Sequence, residues 1–169
     1  MRTVLAAVAE AFGWGKRTPA PHHGYGIAGG FEKGSYVAAC AEVYVNPANG
    51  QPRVLRVVEA FDCGAILNPD NVRIQIEGAV VQGLGGALFE SVKFANGRIL
   101  NPNFASYRVP RFGDIPLIET ILIDRKERAS AGAGETPIIA IAPAIGNAIF
   151  QATGVRLRSL PLAPHGVQG

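Results

Sequence analysis

The sequence predicts an α+β fold, in which a mostly antiparallel sheet carries two principal helices packed on it. Residues 35–45 alternate between two side-chain faces, residues 53–62 have the composition of a second strand, and the stretch between them is dense in turn formers, which predicts a β-hairpin. Apolar residues recur at helical spacing over 69–88, after an Asn-Pro-Asp start, which predicts one helix. The second helix is predicted from about Pro143 to Gly154.

The segments outside this hairpin and these helices are shorter. An amphipathic helix is predicted before Gly13 and is followed by a Gly-, Pro- and His-rich stretch, so residues 1–33 are predicted to be an N-terminal helix and linker. A short hairpin turning at Asn96-Gly97 and a strand over 116–124 belong to the main lobe, residues 34–162. Residues 163–169 are predicted to be a loose tail.

Composition and charge narrow the class of protein. The chain has 169 residues, of which 48% are apolar and 17% charged, which indicates a globular protein. A net charge of +3, spread over scattered basic residues, argues against nucleic-acid binding. We expect no membrane span, and Glu10 interrupts the apolar N-terminal segment against a signal peptide. Cys40 and Cys63 are expected to be reduced core residues, with a disulfide between neighbouring strands as the alternative.

Glu135 is the sharpest candidate for chemistry. It lies between Gly134 and a Thr-Pro pair, in a glycine-rich loop shortly before the last helix. Small flanking residues would let a substrate approach the carboxylate, and an apolar site would raise its pKa toward the range of a general base. On the residues alone, a solvated loop glutamate is the commoner interpretation.

Gln75 and Gln82 lie seven residues apart on the glycine-rich helix, roughly on one face. A glutamine amide donates and accepts hydrogen bonds at once, so the pair could bind a heterocycle. Exposure, or a structural hydrogen bond, is the alternative for both. His22, His23 and His165 have no metal-site spacing, and no dinucleotide or phosphate-binding glycine motif is present.

Three segments carry a resemblance to a known family. They are residues 62–90 (DCGAILNPDNVRIQIEGAVVQGLGGALFE), residues 106–119 (SYRVPRFGDIPLIE) and residues 132–162 (GAGETPIIAIAPAIGNAIFQATGVRLRSLPL). In this order they resemble the C-terminal part of the molybdopterin-binding large subunit of the xanthine dehydrogenase and aldehyde oxidase family. The likeness extends over about residues 3–162 and is strongest to the isoquinoline 1-oxidoreductase beta subunit branch.

The resemblance implies an oxidoreductase that hydroxylates an N-heterocycle or an aldehyde at a Mo–OH centre. Glu135 occupies the place of the glutamate that acts as the general base, and Gln75 that of a residue contacting the pterin. Gln82 and Gly134 are also assigned to the cofactor. The cofactor is expected to be molybdopterin, as the cytosine dinucleotide form, with no protein side chain bound to the metal.

The family's large subunits are several times longer than this chain. We therefore expect the partners to be a missing N-terminal molybdopterin-binding lobe and an iron–sulfur subunit. The isolated chain is expected to retain no cofactor, to be inactive alone and to self-associate through exposed apolar surface. The alternative is a non-catalytic binding or assembly module with the same fold. Localisation is expected to be cytoplasmic by default, or periplasmic with an exported partner.

Overall fold

A computed structural model describes residues 1–168. Its main sheet has four strands in the order β1–β2–β3–β6. β1 pairs antiparallel with β2, β2 with β3, and β6 lies parallel to β3, so the predicted mostly antiparallel sheet is confirmed. The strands are β1 (His23–Glu32), β2 (Ser35–Val45), β3 (Pro52–Asp62), β4 (Phe94–Ala95), β5 (Arg98–Ile99) and β6 (Leu117–Leu122), with β4 and β5 forming the small predicted hairpin.

Three helices cover the two faces of the main sheet. They are α1 (Arg2–Phe12), α2 (Pro69–Leu88) and α3 (Ile141–Thr153), and α3 begins two residues before the predicted start. Period-two alternation along β2 sends successive side chains to opposite faces. One set packs in the main core with α2 and α3, namely Val37, Ala39, Ala41, Val43 and Val45. The other set, which includes Ala38 and Cys40, packs against α1.

The linker predicted over residues 15–33 is wrong for most of its length. Residues 23–32 form β1, which is paired along its whole length with β2. The glycines that suggested a linker serve close packing instead. A methyl group at Gly26 would overlap the backbone of α3 at Ala144 and Ala148, so glycine lets this helix lie directly on the strand.

The loose tail predicted over residues 163–169 is also wrong for the residues that the structure describes, 163–168. Leu162 and Ala163 are buried. The Val167 amide donates to the Gly50 carbonyl at 2.8 Å, and Gly166 lies against the backbone of Asn49. The tail is therefore packed on the turn between β2 and β3. Gly169 lies outside the described residues.

Cys40 and Cys63 are buried and unpaired, so the expectation of two reduced core cysteines is confirmed. One stretch departs from the expectation of no membrane span. Residues 136–153 are long and apolar enough to cross a membrane by length and composition, with 44% of the window buried. The buried side of α3 packs on β1 and β2, which accounts for its apolar character as that of a core helix.

Candidate functional site

The loop that carries Glu135 is attached at several points to the end of the sheet. Arg125 Nε donates to Asp62 Oδ2 at 2.7 Å, and the Ala131 amide donates to the Cys63 carbonyl at 2.8 Å. Ser35 Oγ donates to the Gly132 carbonyl at 2.7 Å. The start and the middle of the loop are thus attached to residues where β2 begins and β3 ends.

Helix α2 brings Gln75 to the same place. The helix begins as the sequence predicts, with Asn68 Oδ1 accepting from the Asn71 amide at 3.0 Å and Pro69 in the first turn. Gln75 lies just beyond the first turns, and its Nε2 donates to the Gly134 carbonyl at 3.2 Å. The structure therefore brings Gln75 together with Gly134 and Glu135, although Gln75 and Gly134 are 59 residues apart along the chain.

Glu135 precedes a short 3₁₀ turn (Thr136–Ala140) that leads into α3. Its side chain is 71% exposed, and Lys33 Nζ donates to its Oε2. The hydrogen bond from Lys33, reinforced by the charge of that ammonium, lowers the pKa of Glu135. The expectation of an apolar site that raises this pKa is therefore wrong for this chain, because the carboxylate lies at an open surface beside a cation.

Gln82 lies two turns further along α2 and is exposed. No hydrogen bond joins it to the Glu135 loop among residues 1–168, so the structure groups it with Gln75 only through their common helix. Gly78 and Gly86 lie on the same outer side, and a methyl group at either would meet nothing within 4 Å. The outer face of α2 is therefore bare, whereas Gly83 on its inner face lies against Ile141.

Three residues that hold this site were missed by the sequence analysis. Ser35 and Thr136 are both buried and donate to backbone carbonyls across the site, and Lys33 pairs with Glu135. The signal that could have revealed them is the Lys33-Gly34 pair, which separates two runs of strand composition and matches a two-residue hairpin turn. Because residues 15–33 were interpreted as a linker, this hairpin turn was not predicted.

No cluster of three or more His, Cys, Asp or Glu side chains with metal-site geometry occurs within residues 1–168. The groups available at the site are therefore the Glu135 carboxylate with the Lys33 ammonium beside it, the Gln75 amide and backbone carbonyls, all at the edge of a glycine-rich helix.

Comparison with known proteins defines the class. Residues 6–116 match the family described as "Molybdopterin cofactor-binding domain", a range that includes Gln75 and Gln82 and stops before Glu135. The protein is thus a molybdopterin-binding domain of the molybdenum enzymes. More particularly, the chain belongs to the xanthine dehydrogenase and aldehyde oxidase family, as its resemblance indicated.

The alignments with individual relatives include most of this chain but only a small share of each relative. It is 37% identical over 163 residues to "Isoquinoline 1-oxidoreductase subunit beta" of Brevundimonas diminuta, covering 95% of this chain and 21% of that protein. It is 34% identical to the aldehyde oxidoreductase molybdenum-binding subunit of Escherichia coli, covering 78% of this chain and 19% of the relative.

Solved structures agree with the fold. The aldehyde oxidoreductase of Desulfovibrio desulfuricans superposes with a TM-score of 0.68 at 33% identity, over 75% of this chain and 14% of that one. The chain spans about a fifth of the length of the two relatives compared by sequence, and less of this solved structure.

Proposed function

We propose that this chain is the base-bearing lobe of a molybdenum hydroxylase large subunit, acting in the oxidative hydroxylation of an N-heterocycle or an aldehyde. The observation that carries the proposal is the junction of the Glu135 loop with Gln75 through the Gly134 carbonyl. The names of the relatives, which include an isoquinoline oxidoreductase and an aldehyde oxidoreductase, support these two substrate classes.

The residues present fit a bulky polar heterocycle. Gly134 and Gly78 leave open space beside the site, and the Gln75 amide oxygen accepts no hydrogen bond within residues 1–168, so it can accept from a donor on a ligand. Gln75, Gln82 and Gly134 would hold the molybdopterin, which we propose is the cytosine dinucleotide form. When bound, that cofactor supplies the oxidation and the oxygen transfer.

Glu135 would contribute proton transfer. Its carboxylate is ionised at neutral pH, as an ordinary glutamate is, and can accept a proton from the attacking oxygen nucleophile, while the contact with Lys33 lowers its pKa in this chain. The small residues on its N-terminal side leave the carboxylate accessible to a substrate approaching from outside the chain.

The remaining contacts would come from other polypeptide. We propose that the rest of the large subunit supplies the second cofactor-binding lobe and that an iron–sulfur subunit accepts the electrons. The exposure of Glu135 and of the outer face of α2 supports a site completed by another lobe. We accordingly expect the isolated chain to be inactive and to retain no cofactor.

Replacement of Glu135 by Gln tests the proposal in a complex reconstituted from this chain, the rest of the large subunit and its redox partner. We expect kcat/KM to fall by about 10²- to 10⁴-fold while molybdenum content stays constant, because the amide cannot accept the proton. Glu10→Gln is the matched control, since Glu10 is exposed on α1, on the other face of the sheet.

Near wild-type turnover in the Glu135→Gln complex would exclude the general-base role. A complex that takes up no molybdenum and shows no turnover even with the wild-type chain would instead favour the alternative of a non-catalytic binding or assembly module, for which Glu135 is an ordinary surface partner of Lys33.

A further inference from the structure

The turn between β1 and β2 contacts the Glu135 loop at three successive places. Thr136 Oγ1 donates to the Glu32 carbonyl at 3.3 Å, Lys33 contacts Glu135, and Ser35 donates to Gly132. Ser35 and Thr136 are 0% and 1% exposed, and within residues 1–168 the hydroxyl of each donates its hydrogen bond only across this junction. Buried hydroxyls need such partners, so the two bonds attach the loop to the turn on either side of Glu135.

The turn itself has little freedom. Only Lys33 and Gly34 separate the two strands, with φ angles of 48° and 83°. Positive φ at both positions is the type I′ geometry, whose twist matches that of the paired strands. The pairing of β1 with β2 thus fixes the backbone on both sides of Lys33. This limits the positions over the Glu135 loop that the Lys33 ammonium can reach.

We propose that Lys33 is the positioning residue for Glu135, and that the β1–β2 turn sets the orientation of this carboxylate and the charge that lies against it. The inference deepens the proposed function, because its catalytic meaning rests on Glu135 being the base. The contact between the turn and the loop stands independently of that role.

The charges around the pair agree with this assignment. Lys33 also lies 4.0 Å from Glu32, and the hydrogen bond and charge of Glu135, followed by the charge of Glu32, raise the pKa of Lys33. The group that reaches the loop from α2 is Gln75, which is neutral, and the 3₁₀ turn contributes no titratable side chain. Lys33 is the cation that contacts Glu135 in the part of the chain described.

The consequence is a carboxylate whose pKa is lowered while Lys33 contacts it, and that becomes a stronger base when this contact is lost. Both side chains are more than half exposed, so salt should weaken the effect. A ligand or a neighbouring lobe that displaced Lys33 would raise the pKa of Glu135 toward the operating pH, where a general base is most effective.

Carboxyl ¹³C NMR on the full chain tests the inference without any cofactor. The Glu135 resonance is assigned with Glu135→Gln and titrated in wild type, Lys33→Gln, Lys33→Arg and the exposed control Lys126→Gln. We expect Glu135 to titrate at lower pH in wild type than in Lys33→Gln, with Lys33→Arg close to wild type and Lys126→Gln unchanged. The difference should shrink in 1 M salt. Equal titration in wild type and Lys33→Gln would overturn the inference.

The acidic limb of the kcat/KM profile in the reconstituted complex separates the two claims. In the Lys33→Gln complex, the acidic limb of the profile should shift to higher pH, as the NMR titration of Glu135 does. A shifted NMR titration with an unmoved profile would support the turn as the positioning element and count against Glu135 as the base.

Discussion

Two glutamates of this chain lie in opposite surroundings. Glu135 is an exposed carboxylate beside a cation, whereas Glu59 is 0% exposed and neither of its carboxyl oxygens has a hydrogen-bond partner within residues 1–168. Glu59 lies opposite Ala39 and Thr120 on the neighbouring strands, on the face that α2 covers. Desolvation raises the pKa of Glu59 well above its ordinary value, because a buried carboxylate without a partner is costly.

Glu59 should make the fold less stable as the pH rises. Its folded pKa lies above the ordinary value of 4.5, so the folded chain keeps a proton that the unfolded chain has already released. The free energy of unfolding is therefore highest, for this group, below about pH 4.5, and falls by up to about 1.4 kcal/mol per pH unit above it until the folded pKa is reached. Urea denaturation between about pH 5 and pH 8 measures this slope.

Glu59→Gln should flatten that slope, because the amide does not titrate. Glu77→Gln, on the exposed side of α2, is the control and should keep the wild-type slope. Carboxylates whose pKa is lowered, such as Glu119 beside Arg56, change stability only below this window. A slope that is the same in wild type and Glu59→Gln would show that Glu59 is not the titrating group.

At the scale of elements, glycine has two separate roles in this fold. In β1, Gly24 and Gly26 alternate with Tyr25 and permit direct contact with the backbone of α3. In α2, Gly78 faces open space and serves no contact within the described chain. The same residue type is therefore required for packing in one element and, for stability alone, dispensable in the other.

Gly26→Ala and Gly78→Ala should change stability in opposite directions. The new methyl at position 26 would overlap the Ala144 carbonyl and the Ala148 amide, and these backbone atoms cannot rotate away. We expect a loss near the upper end of the ~1–3 kcal/mol that overpacking costs. Gly78→Ala should gain about 0.5–1 kcal/mol from helix propensity. Chemical denaturation measures both, and an unaffected Gly26→Ala chain would contradict the close approach of α3 to β1.

At the scale of the whole molecule, one region carries seven of the exposed large apolar side chains of residues 1–168. It comprises residues 91–116, between α2 and β6. Its exposed members are Val92, Phe94, Ile99, Leu100, Phe104, Val109 and Phe112. The chain spans only 21% of the length of the isoquinoline 1-oxidoreductase subunit beta that it resembles, and we propose that this surface contacts the rest of such a subunit.

We expect the isolated chain to self-associate through this region. Phe104 and Phe112 are 101% and 100% exposed, so replacing both by Ser should leave stability unchanged while removing apolar contact area. The association constant, from sedimentation velocity over a concentration series, should fall roughly tenfold or more. A double variant outside the region, Leu67→Ser with Leu160→Ser, should associate as wild type does. A wild-type chain that stays monomeric at every concentration would contradict the expectation.

Local patterns were sufficient for most of the fold. Period-two alternation gave the β2–β3 hairpin, helical spacing gave α2 and α3, and the Asn96-Gly97 turn gave β4–β5. Local patterns failed at β1 and at the tail. There, glycine and proline indicate irregular structure unless one knows which distant backbone segment packs against them. Gly26 is required by α3, and Gly166 by the turn at Asn49, and both partners lie more than 100 residues away along the chain.

By itself, the sequence determined the α+β class, the family, and Glu135 with Gln75 as the residues of interest. Side-chain periodicity and motif order are local properties, so they can be recognised in the sequence without coordinates. Only the tertiary structure decided that Lys33 contacts Glu135 across 102 residues, that Glu59 is sealed in the core without a partner, and that the outer face of α2 is bare. Charge environment and burial depend on which distant segments the sheet brings together, and that pairing is a property of the whole chain.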